Sequence, residues 1–137
     1  MNKHDELSGT FVLVHPQLIN DPAEKKNHIG IIASAELEND NVVVSFGKDG
    51  QALFSADALL VLRKPGDIQF DALRDATQME TSDFKDLMQV MLLANSPLTK
   101  DHRLAIEMAR ENQTLMEYSL ASLEEELGLR QSYALER

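Results

Sequence analysis

The hydrophobic period changes once along this chain, at Lys64-Pro65-Gly66, and no other feature limits its possible folds so strongly. Before that point short apolar and β-branched runs alternate with a period near two, separated by turn-forming clusters, which predicts antiparallel strands. After it, apolar residues recur three and four apart, which predicts helices. A chain of 137 residues has room for one average domain or two small lobes. The expectation is therefore an α+β protein with an all-β lobe over 1–66 and a helical lobe over 67–137. The helical half is apolar on several faces, so the two lobes are expected to pack together as one structural unit.

Five strands are predicted in the first half. The run over 10–14 has strand propensity and stops before Pro16, which cannot donate to a sheet ladder. Residues 15–28 read as a long exposed loop containing Asn20-Asp21-Pro22 and Glu24-Lys25-Lys26-Asn27. A second strand covers 29–35, with Gly30 permitting a bulge or a close backbone approach. After a turn over 38–41, Val42, Val44 and Phe46 alternate with Val43 and Ser45, the mark of a strand with two unlike faces. Gly47-Lys48-Asp49-Gly50 closes a hairpin into a fourth strand over 51–55. One helical turn over 55–58 then leads to a fifth strand over 59–63.

This order resembles the SH3-like small β-barrel, in the broad sense that includes KOW and Tudor-type modules. The resemblance covers residues 9–63. It is carried by Phe11-Val12-Leu13-Val14, Ile29-Gly30-Ile31-Ile32, Val42-Val43-Val44-Ser45-Phe46 and Asp57-Ala58-Leu59-Leu60-Val61-Leu62. It implies a five-stranded antiparallel barrel and a binding module. The best-known ligands of such modules suit this chain poorly. A polyproline groove needs exposed aromatics including Trp, and a methyl-lysine cage needs several aromatics around a cation. The first half holds only Phe11, Phe46 and Phe54, and the last two flank the 47–50 turn, where they are expected to fill the core.

The second half predicts a short helix around Phe70 and Leu73 and a second over 83–94, capped by Thr81 or Ser82 and apolar on more than one face. Asn95-Ser96-Pro97 is a break and restart. A long last helix could then run over 97–127 to Gly128, closing a helical hairpin and extending roughly 46 Å, more than a compact domain of this size accommodates without a bend or protrusion. Asn112-Gln113-Thr114 is its weakest stretch. A seam of alternating three- and four-residue spacings runs through Ile106, Ala109, Gln113, Met116, Leu120, Leu123 and Leu127. Its last part, Met116, Leu120, Leu123 and Leu127, is the candidate surface for a homodimer. The tail over 130–137, with Tyr133 and Leu135, has no periodicity.

Composition narrows the functional classes. Cysteine is absent, which removes disulfides, thiolate metal sites and thiol nucleophiles. The net charge is −10, with seven basic against fourteen acidic residues in 67–137. Neither half offers the basic surface that phosphate neutralisation needs, so nucleic acid is disfavoured as a partner. The polar start of the chain and the lack of a long apolar run lead to the expectation of a cytoplasmic protein with no membrane association. Among the four histidines, His15 and His28 bracket the first loop and could hold a metal with Asp21 or Glu24, but a coincidental surface pair is the commoner outcome. No nucleophile elbow, P-loop or paired-histidine helix is present, and Ser55 beside Asp57 reads as a turn residue.

The expectation is a non-catalytic interaction protein without cofactor or metal. Its ligand would be a protein or peptide held near the first loop, at His15, Lys25, Lys26 and His28, or along the barrel edge. The helical half would serve for support and self-association. The alternatives are a KOW-like nucleic-acid-binding module and, behind it, a small metal-binding enzyme.

Overall fold

A computed structural model describes residues 7–19, 21 and 23–128 of the chain. Its elements are β1 (Phe11–Val14), β2 (Ile29–Glu36), β3 (Asn41–Ser45), β4 (Gln51–Phe54), β5 (Leu59–Leu62), α1 (Pro65–Arg74), α2 (Thr81–Ala94), α3 (Thr99–Arg110), α4 (Gln113–Ser119), β6 (Leu120–Ser122) and the single turn α5 (Leu123–Glu126). The strands form one sheet in the order β4-β3-β2-β1-β5-β6. Two compact units divide the chain. One takes it through Val61 and again from Ser122; the other is Leu62–Ala121.

The expected closed five-stranded barrel is not what forms. Among the described residues the sheet has six strands and is open, with β4 at one edge and β6 at the other. Closure would require β4 to pair beyond β3, and among the described residues its ladder is with β3 alone, from Val42↔Phe54 to Ser45↔Gln51. The expected helical hairpin with a long last helix is also replaced. The segment over 97–127 is cut into α3, α4, the strand β6 and α5.

Each cut has a local cause. Asn112 adopts extended dihedrals (φ −145°, ψ 120°), and its side-chain oxygen accepts from the N–H groups of Thr114 (2.8 Å) and Leu115 (3.3 Å). It therefore caps α4 by satisfying donors that the helix leaves open. Its amide nitrogen donates to Asp83 in the first turn of α2 (3.0 Å). At the other end of α4, Leu120 is already extended (φ −117°, ψ 150°), and Ser122 caps α5 by accepting from the Glu125 N–H at 3.0 Å.

In the first unit, Val12, Val14, Ile32, Val42, Val44 and Phe54 cover one sheet face and bury with Ala56, Ala58, Leu59, Val61 and Leu123. The period-2 alternation explains this set, since Val42 and Val44 point inward while Val43 and Ser45 point outward. Gly30 allows the closest approach. A Cβ there would stand 2.5 Å from Val44 Cγ1 and 2.9 Å from both Phe46 Cε1 and the Ser45 carbonyl oxygen. The expected bulge lies further along β2. Ile32 faces Val44 and Ser34 faces Val43, which leaves Ala33 as the extra residue.

In the second unit, α2 packs against α1, α3 and α4. Leu87, Val90, Ala105, Ile106, Ala109 and Ile68 are fully buried there. A polar network links α1 to α4. Arg63 donates to Asp71 (2.8 Å) and to the Tyr118 carbonyl (2.8 Å), Arg74 donates to Asp75 (2.9 and 3.0 Å), and the Tyr118 hydroxyl donates to Asp75 (2.7 Å). The Arg74 guanidinium and the Tyr118 hydroxyl hold the Asp75 carboxyl down at about 2. The bond to Asp75 and burial push the Tyr118 phenol up. Ser119 is a buried polar residue of this unit, and its hydroxyl has no partner among the described residues.

Candidate functional site

The sheet face opposite the first unit's core carries Leu13, Ile29 and Leu60, which are buried and aligned by the registers Leu13↔Ile29 and Leu13↔Leu60. Followed towards β4, the same face opens. Ile31 is 37% exposed and Leu53 is 58% exposed. Here a groove of about 640 Å³ lies across β2, β3 and β4, lined by Ser34, Ala35, Glu36, Glu38, Asn39, Asn41, Val43 and Leu53. Grooves that take whole ligands run roughly 300–1,000 Å³, so this one is large enough for several residues of a partner chain.

Register builds the groove. Leu53 faces Val43, which faces Ser34, giving a row of side chains straight across three strands. One step along, Asn41 faces Glu36. The bulge at Ala33 decides which face Glu36 occupies. Inward and outward positions alternate along a strand, so without the extra residue Glu36 would share the parity of Ile32 and point at the core. With it, Ala35 faces inward-pointing Val42, and Glu36 turns outward to the groove. The turn after β2 is held by Asp40 in the left-handed region (φ 56°), whose carboxylate accepts from the Ala56 N–H at 2.8 Å. This fixes Glu38 and Asn39 at the groove's end. The floor is aliphatic, the rim carries two carboxylates and two side-chain amides, and among the described residues no strand lies on the outer side of β4 beside it.

The first-loop candidates sit elsewhere and are tied into the loop itself. Asp21 accepts from the N–H groups of Lys25 (3.1 Å) and Lys26 (2.8 Å). Burial alone would push its carboxyl up, but those N–H donors and the Lys26 charge outweigh it and hold it below its ordinary value. The Lys25 ammonium lies 5.2 Å above the Phe46 ring, and the His28 ring meets Phe46 edge-on at 6.4 Å. Lys26 and His28 are exposed, and His28 Nδ1 faces the Lys25 and Lys26 carbonyls at 3.2 and 3.3 Å. His15 Nδ1 accepts from the Gln17 N–H at 3.1 Å. Lys25 and His28 thus meet around Phe46. His4 lies outside the described residues, and among those described no three His, Asp or Glu side chains gather at metal-binding spacing.

The four candidate self-association residues no longer share one helix. Leu120 is buried on β6, Leu123 is buried in the first unit's core, and Leu127 packs against that core. Met116 is half-buried on α4. The tail over 130–137 lies outside the described residues. Two further polar clusters are structural. Ser96 donates to Asp101 (2.7 Å) and accepts from the Leu98 N–H (3.1 Å), while His102 Nε2 meets the Ser96 carbonyl (2.7 Å), an arrangement that starts α3. The Ser55 hydroxyl donates to Asp57 beside it in the turn.

The groove residues were not singled out from the sequence, although a signal for two existed. Inward Val42, Val44 and Phe54 imply that Val43 and Leu53 face out, and a leucine on an outward position next to a hairpin is unusual enough to mark. Glu38 and Asn39 lie in the turn expected over 38–41, but Ser34 and Glu36 depend on a bulge whose position no local pattern specifies.

No protein-family model, curated protein or solved structure matches the chain. No helix among the described residues is long and apolar enough to cross a membrane.

Proposed function

We propose that this chain is a non-catalytic interaction module that holds a protein or peptide partner on the open face of its sheet, at the β4 edge. The supporting observation is the groove over Val43 and Leu53, on the sheet face that is buried around β1 and uncovered towards β4. Covering a leucine side chain gains about 1.5–3 kcal/mol relative to leaving it in water. An uncovered edge strand also invites pairing with another chain. A polypeptide laid along β4 satisfies both. The Glu36 and Glu38 carboxylates at the rim repel a phosphate backbone, which favours a polypeptide over nucleic acid.

The test is photo-cross-linking in extract of the native cells, with p-benzoylphenylalanine replacing Leu53 in one sample and the exposed Lys100 on α3 in another. A discrete adduct from position 53 and none from position 100 is expected. No discrete adduct from position 53, or the same adducts from both positions, would overturn the reading.

A further inference from the structure

The groove's charge and floor narrow the partner, on the assumption that the groove is the binding surface. Its apolar floor, Val43 and Leu53, lies on β3 and β4, and its carboxylates, Glu36 and Glu38, lie at the far end of β2 and in the turn that follows. From the Val43–Leu53 row to the Asn41–Glu36 row is two residues along β3 and one strand across, about 8 Å by the strand rise and the spacing between strands. That is the length of one extended arginine or lysine side chain. Such a side chain has an aliphatic stem that covers apolar surface and a charged head that stays near water. The groove supplies both in the right order. Ser34, Asn39 and Asn41 also line the groove and carry side-chain oxygens able to accept hydrogen bonds. Those acceptors favour a guanidinium, which carries five donors in a planar fork, over an ammonium.

We infer that the β2–β3–β4 groove receives an arginine side chain from an extended, basic segment of a partner protein, its stem on Leu53 and Val43 and its guanidinium at Glu36 and Glu38. The net charge of −10 acts in the same direction at long range, drawing cationic chains and opposing association with acidic ones, a second copy of this chain included. The bulge at Ala33 is then a functional feature, because it is what brings Glu36 to this face.

The test uses the full chain, ¹⁵N-labelled, titrated with an N-acetylated, C-amidated pentapeptide of alanine, leucine, arginine, leucine and alanine. A second peptide has citrulline in place of arginine, which keeps the shape and removes the charge. The arginine peptide is expected to move the amides of Ser34, Asn41, Val43 and Leu53 saturably and to bind about fivefold more tightly than the citrulline peptide. In the Glu36→Gln, Glu38→Gln double variant that difference is expected to vanish, as a pairwise interaction requires. Both residues are exposed, and an unchanged amide spectrum away from the groove verifies that the double variant keeps its fold. Equal binding of the two peptides, a difference that survives the double substitution, or shifts scattered over the acidic surface would overturn the inference. So would groove shifts that depend on protein concentration alone, which would assign the groove to a second copy. A discrete adduct from position 53 whose partner binds the double variant undiminished would remove the arginine while leaving the interaction reading in place. Absence of that adduct would remove the interaction reading itself.

Discussion

At the scale of single residues, Gly30 and Ser119 stand at opposite ends of packing. A Cβ on Gly30 meets Val44, Phe46 and, least yielding of the three, the Ser45 carbonyl of the neighbouring strand. Replacing glycine by alanine inside a strand gains about 0.5–1 kcal/mol of backbone preference, whereas overpacking costs typically 1–3 kcal/mol, so the clash decides the sign. Gly30→Ala is expected to destabilise by about 2 kcal/mol, read by urea denaturation. Ser119→Ala removes a buried hydroxyl that lacks a partner among the described residues and is expected to leave stability unchanged or raise it by up to about 1 kcal/mol in the same measurement. Asp75 gives a pH signature. Its carboxyl is held at about 2, below the unfolded value of 3.8, by Arg74 and Tyr118. The stabilisation is therefore complete above about pH 4 and is lost as pH falls towards 2. Thermal melts of Asp75→Asn between pH 2 and 5 are expected to show a shallower acid loss than the parent. An equally steep loss would show that Asp75 does not govern it.

At the scale of elements, the runs that specify strands were legible because their information is local. Val42, Val44 and Phe46 alternate with Val43 and Ser45, Phe11-Val12-Leu13-Val14 is β-branched or aromatic at three of its four positions, and these runs coincide with β3 and β1. β6 was not legible. Leu120-Ala121-Ser122 contains good helix formers at helical spacing from Met116, and the chain becomes extended there because the sheet offers a place for it beyond β5. The long helix failed for a different reason. Asn112 offers its side chain to the backbone N–H groups of Thr114 and Leu115, which starts a new helix rather than continuing the old one. Asn112→Ala is expected to cost about 1–2 kcal/mol in chemical denaturation, since the cap and the bond to Asp83 are both lost. Asn112→Ser, which keeps a capping oxygen, is expected to recover part of that loss. The candidate site was less legible than the strands. Leu53 and Val43 follow from alternation, but Glu36 reaches the groove only through a one-residue bulge whose position depends on the partner strand.

At the scale of the whole molecule, the open sheet and the acidic surface belong together. A closed barrel would have paired the β4 edge; among the described residues, six strands in an open order leave that edge unpaired beside exposed Leu53. The −10 net charge opposes, at long range, the pairing of such an edge with copies of itself and attracts basic chains. Exposed apolar residues occur in the second unit too, Phe70 at 65% and Leu73 at 57% on α1, and Arg74 lies 6.0 Å from the Phe70 ring. They provide an internal control for specificity. The direct measurement is calorimetric titration of the partner that cross-links at position 53 against the parent chain, Leu53→Asp and Phe70→Asp. Leu53→Asp is expected to weaken binding at least about thirtyfold, the equivalent of about 2 kcal/mol, while Phe70→Asp leaves it unchanged. Undiminished binding by Leu53→Asp would contradict a binding face at the β4 edge.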